Sequence, residues 1–427
     1  MNRRAGRPEA GPSEHAMVSA SIRRWWLLAA CFVTFMISAA FMQSYTVFLV
    51  AFIETFGWSR GEASIAYAVS QFVSGVTSLL VGVLVDRLGP RRLVLIGGTL
   101  LALGLIFSSY VHALWQVVLL YGIIMTLGAN CLGLVVFVPM LSRHFVQNRG
   151  IAVAIVQSAN GFARGFSAPL TQLLIGELGW RWTYLVQGGF MAAAILPLSS
   201  LFRGTDPVRA AAPGATPDGW TLSGAIRTYQ FWLLFLVYVF TGLGSFLVAL
   251  HQLAFAVTVG FDKLYAAQVL GVGALFSFPG VIMTGWLSDR IGRELSAVIT
   301  YATSIIGVAC ALLIRGPDQH LLFWLHACFF GLTWGARGPS ITAKTADLFS
   351  GSQLGTILGA ITIGTGIGSA GGSWLAGWSF DLTGSYHLAF WLSIFFYACG
   401  SVAFWLLREP AVIRAISGQP SREQESS

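Results

Sequence analysis

The chain has 427 residues, of which 56% are hydrophobic and only 10% are charged. This composition excludes a soluble globular fold, because soluble domains carry about 25% charged residues. The formal net charge of +8 does not indicate a nucleic-acid partner, since the basic residues are spread over loops between apolar segments rather than gathered on one face.

A helix that crosses the hydrocarbon core needs about 20 apolar residues, because its backbone must satisfy its own hydrogen bonds there. Twelve segments of the sequence meet this requirement. We therefore predict an all-α membrane protein with twelve transmembrane helices, numbered as spans one to twelve. Their predicted limits are 25–52, 62–85, 93–111, 113–141, 150–175, 182–202, 229–258, 264–288, 295–314, 319–346, 353–378 and 386–407.

The distribution of Lys and Arg predicts the orientation, because basic loops stay in the cytoplasm. With the amino terminus inside, nineteen of the 25 Lys and Arg residues lie on the cytoplasmic side and four lie outside. The sequence thus predicts a multi-pass protein of the cell membrane with both termini in the cytoplasm.

A polar, helix-breaking stretch separates the first six spans from the last six. The predicted organisation is a cytoplasmic tail, a six-helix bundle, a cytoplasmic linker, a second six-helix bundle and a second cytoplasmic tail. Their limits are 1–24, 25–202, 203–228, 229–407 and 408–427. Translation from Met1 and translation from Met17 are both compatible with the sequence.

A short hydrophilic phrase occurs twice, which indicates that a membrane unit has been duplicated. Residues 82–89, GVLVDRLG, return 203 residues later as residues 285–292, GWLSDRIG. With basic residues after it, the phrase resembles the loop signature between helices two and three of the major facilitator superfamily, and its echo between helices eight and nine. The resemblance implies two pseudo-symmetric six-helix bundles that rock against each other around a central site.

Asp86 and Asp289 of these phrases are predicted to act as gating residues, together with Arg87, Arg91 and Arg290. A carboxylate at the inner end of a helix can cap the positive amino terminus of a facing helix and hold one state closed. The superfamily resemblance implies this role for the first copy. The alternative is a purely topological role as inner-loop charges.

Glycines spaced four residues apart are predicted to let helix backbones approach each other where the two bundles meet. Gly161 and Gly165 have this spacing in span five, and Gly364, Gly368 and Gly372 have it in span eleven. Ordinary tight packing of helices within a bundle is the alternative.

Two arginines, Arg164 and Arg337, lie inside predicted spans, whereas no carboxylate is expected at membrane depth. A charge there costs at least about 2.5 to 3.5 kcal/mol unless it faces water, a partner or a ligand. The planar guanidinium suits a carboxylate, so the pattern favours an organic anion as ligand. Arg337 is the stronger candidate because Gly335 and Pro339 can interrupt its helix. Snorkelling of Arg337 and carbonyl binding by Arg164 are the alternatives.

Further polar residues within the spans are predicted to line the cavity or to join helices by hydrogen bonds. His251, beside Gln252, is also the predicted proton-coupling residue, because a histidine can titrate near neutral pH; a neutral structural histidine is the alternative. The substrate-binding candidates beyond the arginines are Asn130, Gln43, Tyr45, His251, Gln252 and Tyr238.

Two segments resemble the monocarboxylate porters within the superfamily. Residues 145–152 are similar to the start of the span-five signature, and residues 43–48 resemble the span-one motif of animal monocarboxylate transporters. Residues 57–60, GWSR, and His251 followed by Gly260 look like bacterial members of the group, which would place the protein in a bacterial inner membrane. The span-eleven lysine of bacterial oxalate–formate antiporters is absent from residues 353–378. The family's span-one lysine is Gln43 here, so the positive charge would have to come from Arg337 or Arg164.

The sequence therefore predicts a monomeric secondary transporter of a small organic anion, with a proton as candidate co-substrate. It contains no nucleotide-binding motif, and its scattered histidines and cysteines indicate no enzyme, metal site or cofactor. The alternative prediction is an exporter of drugs or neutral metabolites on the same fold, in which the arginines are structural.

Overall fold

The computed structural model describes residues 14–145, 149–202, 219–349 and 354–408, and its elements are helices. Those helices form twelve successive passes, to which the names span one to span twelve now apply. In chain order they are Glu14–Gln43 with Tyr45–Phe56; Arg60–Leu88; Pro90–Ser108; Leu114–Val117, Val118–Met125, Thr126–Cys131 and Leu134–His144; Arg149–Leu201, which contains spans five and six; Tyr229–Ala249 with Gln252–Val259; Lys263–Leu275 with Ser277–Ile291; Arg293–Leu313; His320–Leu332 with Arg337–Leu348; Leu354–Thr383; and His387–Trp405.

Eight of the described helical stretches are long and apolar enough to cross a membrane. The stretch Ile155–Leu201 has 47 residues, which is about 70 Å of helix and enough for two crossings. We predicted a loop between spans five and six, but the chain turns at Gly179 alone, where φ is 77° and ψ is 160°. A side chain would be strained in that conformation, so glycine replaces a loop here.

Matching glycines in the two halves have matching backbone conformations. Gly89 ends span two with φ 77° and ψ 159°, and Gly292 ends span eight with φ 93° and ψ 157°. Gly57 and Gly260 likewise end spans one and seven in the left-handed region. The duplicated phrases therefore form equivalent tight turns, as expected for two copies of one unit.

The glycines of span five lie where the halves meet, as predicted. A Cβ on Gly161 would lie 2.5 Å from Ser277 Oγ, and a Cβ on Gly165 would lie 2.5 Å from the Leu275 side chain of span eight. Such close approach requires the absence of side chains.

The glycines of span eleven behave differently, and the prediction for them was wrong. A Cβ on Gly364 would lie 2.7 Å from Phe235 O, and one on Gly372 would lie 2.8 Å from Leu243 O, both in span seven. Gly368 packs against the same helix. These residues therefore hold the second half together instead of forming its boundary with the first.

Spans two and eleven contact each other from their outer ends to their middle. Gly61 at the outer end of span two packs against Asp381, and Gly75, further along the helix, lies beside Gly366. The two halves are thus in contact on the extracellular side of the molecule.

Candidate functional site

Spans one, four, seven and ten each change from one helix to another near the middle of the chain's path through the membrane. The helix ends and restarts around Ser44, at 132–133, at 250–251 and at 333–336. The last break contains Gly335 with φ 74°, so the predicted interruption before Arg337 is present. Interrupted helices expose backbone groups to a cavity, which is typical of transporter binding sites.

Arg164 reaches from the first half to the second. Its guanidinium carbon lies 3.6 Å from the centroid of the Trp334 ring, at the break of span ten. The side chain also interacts electrostatically with Tyr67 of span two and Tyr397 of span twelve. Among the residues that the structure describes, no carboxylate lies within ion-pair distance of Arg164.

A small cavity of ≈ 30 Å³ lies beside Arg164 and contains residues of both halves. Gln43 of span one and Gln252 of span seven line it together with Arg164 and Ser167. Three of the predicted binding residues therefore lie around one space between the two halves.

A larger cavity of ≈ 220 Å³ lies in the first half and shares Gln43 with the small one. Its lining includes Asn130 and Asn160. Gln43 Nε2 donates to Asn160 Oδ1 at 3.4 Å. Asn130 Nδ2 donates to Ser74 O at 3.1 Å and to Thr77 Oγ1 at 2.7 Å. Asn130 thus both faces the cavity and joins spans two and four.

Aromatic rings connect the larger cavity to Arg164. Tyr121 and Tyr67 line that cavity. Tyr67 lies 5.9 Å from Phe246 of span seven, and Phe246 lies 5.3 Å from Trp334. These rings pass from the lining of the larger cavity in the first half to Trp334 of the second half, on which Arg164 stacks.

Arg337 is enclosed by its own half and is only 4% exposed. Its Nη1 donates to Ser304 Oγ at 2.7 Å and its Nη2 to Ser245 Oγ at 3.5 Å. The rings of Tyr301 and Tyr397 each lie 4.8 Å from the guanidinium carbon. Among the described residues, Nε has no hydrogen-bond partner.

The remaining candidates do not line either cavity. Tyr45 is buried and donates to Ala63 O at 2.7 Å. His251 is fully buried, with Nε2 3.0 Å from Ser373 O. Tyr238 of span seven interacts with Thr342 of span ten. Their predicted roles in binding or coupling remain predictions.

The predicted gating residues lie at the inner ends of spans two, three and eight. Arg87, Arg91 and Arg290 are exposed, and the guanidinium carbon of Arg290 lies 4.3 Å from the centroid of the Trp286 ring. The side chains of Asp86 and Asp289 lie outside the part that the structure describes.

Sequence reasoning missed Trp334 and Asn160. Trp334 lies among other aromatic residues of span ten, so no pattern distinguished it from a packing residue. Asn160 carried a usable signal, because it lies four residues before Arg164 and hence on the same helix face.

A polar network at the outer end was also missed. The Arg60 N–H donates to Asp381 Oδ1 at 2.9 Å, although the two residues are 321 positions apart in the chain. Only the tertiary structure brings this pair together.

Known proteins resemble the chain in sequence and in fold. The family model of the Major Facilitator Superfamily matches residues 27–343. Monocarboxylate transporter 13 of Rattus norvegicus is 28% identical over 414 residues, covering 94% of this chain and 92% of that protein. The uncharacterized MFS-type transporter YcxA of Bacillus subtilis (strain 168) is 23% identical, covering 89% of this chain and 94% of that protein.

The solved structures that match do so at low sequence identity. A mutant of the nucleoside transporter NupG superposes with a TM-score of 0.74 at 12% identity, covering 91% of this chain and 100% of that chain. A bacterial homolog of the human lysosomal transporter Spinster, inward-facing and occupied, gives a TM-score of 0.71 at 15% identity, covering 90% and 96%. At such identities the likeness concerns the fold alone.

Proposed function

This chain belongs to the major facilitator superfamily, and on that premise we propose that it moves a small organic anion of the monocarboxylate type across the membrane. As a member of the superfamily it is a membrane-bound secondary transporter and not an enzyme. The proposal concerns the class of solute and the residues that bind it.

The observation that carries the proposal is the setting of Arg164. This cation lies beside a cavity that both halves line, and no described carboxylate pairs with it. Desolvating an unpaired charge is costly, so a visiting carboxylate that accepts from the guanidinium would be strongly favoured. Relatives that are named monocarboxylate transporters support the same solute class.

We assign the anion to Arg164 rather than to Arg337, the stronger candidate in the sequence. Arg337 already donates to Ser304 and lies between two tyrosine rings of its own half. We propose that it stabilises the second half and adds to the positive potential of the site. Gln43 and Gln252, which line the small cavity with Arg164, are proposed to bind the polar part of the solute.

The finer parts of the account are also proposals. A proton accompanies the anion, either through His251 or as the acid proton of the solute. The protein acts as a monomer in a bacterial inner membrane, with residues 25–202 and 229–407 as its two moving halves.

Uptake into proteoliposomes tests the proposal. With a panel of labelled monocarboxylates and an imposed pH gradient, we expect Arg164→Gln to lose at least about 90% of uptake, since the lost charge-assisted bonds are worth about tenfold or more. Arg181→Gln is the matched control, because Arg181 also stacks on a tryptophan, Trp180, at 4.3 Å. Equal uptake by the wild type and Arg164→Gln for every transported acid would refute the assignment.

A second candidate function is an exporter of drugs or neutral metabolites. The stacking of Arg164 on Trp334 favours it, because a cation–π contact gives the guanidinium a partner within the protein. Cells that express the protein would then resist cationic dyes. A cavity next to an unpaired arginine should repel such dyes, so we expect no resistance.

A further inference from the structure

We propose that Arg60, Asp381 and Tyr386 form an extracellular gate between the two halves, and that His251 makes this gate open more readily in acid. The proposal concerns the alternating-access cycle and does not depend on which solute is carried.

Asp381 caps a helix of the opposite half. The N–H groups of Arg60 and Gly61 donate to its two oxygens at 2.9 Å and 2.7 Å, at the start of span two. The first N–H groups of a helix lack partners within it and carry partial positive charge, so a carboxylate is favoured there. A Cβ on Gly61 would lie 2.6 Å from Asp381 Oδ2, so glycine leaves room for the carboxylate.

The Arg60 side chain extends the contact to three further groups of the second half. Its Nη1 donates to Tyr386 Oη at 2.6 Å, and its Nη2 donates to Thr258 Oγ1 at 2.9 Å. Its guanidinium carbon also lies 3.7 Å from the centroid of the Phe380 ring. One residue of the first half thus holds the ends of spans seven and eleven and the loop before span twelve.

A second cross-half contact at the outer end provides a comparison. Lys263 of span eight pairs with Glu54 of span one at 2.7 Å, but their side chains are 41% and 50% exposed. Such exposed pairs contribute little, because solvent screens them and two flexible side chains must be ordered. Asp381 is exposed as well, but its donors are backbone groups that the helix already fixes, so we place the strength of the gate there.

His251 lies behind the gate and is fully buried. Its Nε2 is 3.0 Å from Ser373 O, and because a carbonyl only accepts, Nε2 carries the hydrogen. Nδ1 is therefore the acceptor in a neutral ring, and Tyr386 Oη donates to it at 3.3 Å. The same Tyr386 oxygen accepts from Arg60, which completes a chain from the buried ring to the gate.

A proton on Nδ1 would turn this acceptor into a donor facing the Tyr386 hydroxyl. Burial of the ring is the main obstacle to that proton, the Arg60 charge also opposes it, and the Asp381 charge favours it. On the adjoining start of span eight, Asp262 accepts from the Tyr265 N–H, and Lys263 is paired with Glu54 as described above. Water reaches the ring only when the halves separate, so acid should shift the equilibrium towards the state that is open to the outside.

Spin labels at Glu177→Cys and Asp318→Cys report on this opening. Both residues are exposed at the outer end, one in each half, and the five native cysteines are replaced by serine. In nanodiscs near pH 7.5 we expect the protein to give mainly the short inter-label distance, which corresponds to a closed outer end. Molecules with an open outer end give a longer distance and form the long-distance population. Asp381→Asn should raise the long-distance population about tenfold, because the amide offers the two N–H groups one acceptor oxygen and no charge, whereas Lys263→Gln should not.

Tyr386→Phe provides a second test of the gate, because it removes only a hydroxyl and keeps the ring packed. It should also raise the long-distance population. The gate is refuted if Asp381→Asn and Tyr386→Phe match the wild type, or if Lys263→Gln opens the protein as much as Asp381→Asn does.

The acid response is tested in the same labelled protein. On acidification to about pH 5.5, the long-distance population should grow in the wild type and stay constant in His251→Gln. His387→Gln is the control, since His387 is exposed and directly follows Tyr386, and it should keep the response. Retention of the full response in His251→Gln, or its loss in His387→Gln, would overturn the role of His251.

Discussion

Arg164 and Arg337 are the same residue type at membrane depth, but their surroundings differ. Arg337 donates to side chains of its own half and is almost completely enclosed. Arg164 has an aromatic face on one side and a cavity on the other. A guanidinium whose unused N–H donors face a cavity can bind a ligand there. A guanidinium whose donors are bonded to neighbouring hydroxyls stabilises its own bundle.

Replacement of Arg337 should therefore reduce stability. Arg337→Met leaves the Ser304 hydroxyl without its buried arginine donor, a loss of about 1 to 3 kcal/mol. We expect the melting midpoint of the purified protein to fall by several degrees in fluorescence-detected size-exclusion measurements. Arg315→Met, at an exposed position, is the control and should melt like the wild type. An unchanged midpoint for Arg337→Met would show that the enclosure contributes no stability.

Replacement of Trp334 tests how Arg164 is positioned. A desolvated cation–π contact is worth about 2 kcal/mol, so Trp334→Leu should let the guanidinium leave its present orientation. We expect a higher KM for uptake in Trp334→Leu and a nearly normal KM in Trp334→Phe, which keeps an aromatic face. Identical KM values in both variants would argue against this positioning.

The two arginines could be found from the sequence because a charge within an apolar run is conspicuous. Trp334 could not, because an aromatic residue in such a run has the pattern of a packing residue. No residue near Arg337 in the sequence indicated that Ser304, Tyr301 and Tyr397 would enclose its side chain. Those partners lie on other spans, and only folding brings them together.

At the scale of helices, breaks were predictable only where the residues themselves disfavour a helix. Gly335 and Pro339 indicated the break in span ten, because glycine adopts positive φ and proline removes a donor. The changes of helix at Ser44 and His251 have no such signal. The turn at Gly179 was missed as well, because a single glycine makes the turn for which a loop was expected.

The crossing of spans five and eight gives a test at this scale. A side chain on Gly271 would meet the Gly165 carbonyl of span five. We therefore expect Gly271→Val to push the halves apart and to reduce uptake at least about tenfold, while Gly176→Val, in a helix position with open space around it, keeps wild-type uptake. Equal uptake by the two variants would show that close contact at this crossing is not required.

At the scale of the whole molecule, the duplicated phrase predicted the architecture well. Two copies 203 residues apart implied two similar halves, and their glycines Gly89 and Gly292 adopt equivalent conformations. The sequence could not indicate which ends of the halves touch. That arrangement depends on long-range contacts such as Arg60 with Asp381.

Binding of an acid and its neutral amide to the purified protein tests the central claim most directly. Scintillation-proximity competition would compare each transported carboxylate with its amide, in the wild type and in Arg164→Gln. We predict that the wild type binds the acid at least about tenfold more tightly, because the bonds to a charged group are lost in the amide, and that Arg164→Gln shows no preference. Equal affinities in the wild type, or a preference for the acid that persists in Arg164→Gln, would contradict the account.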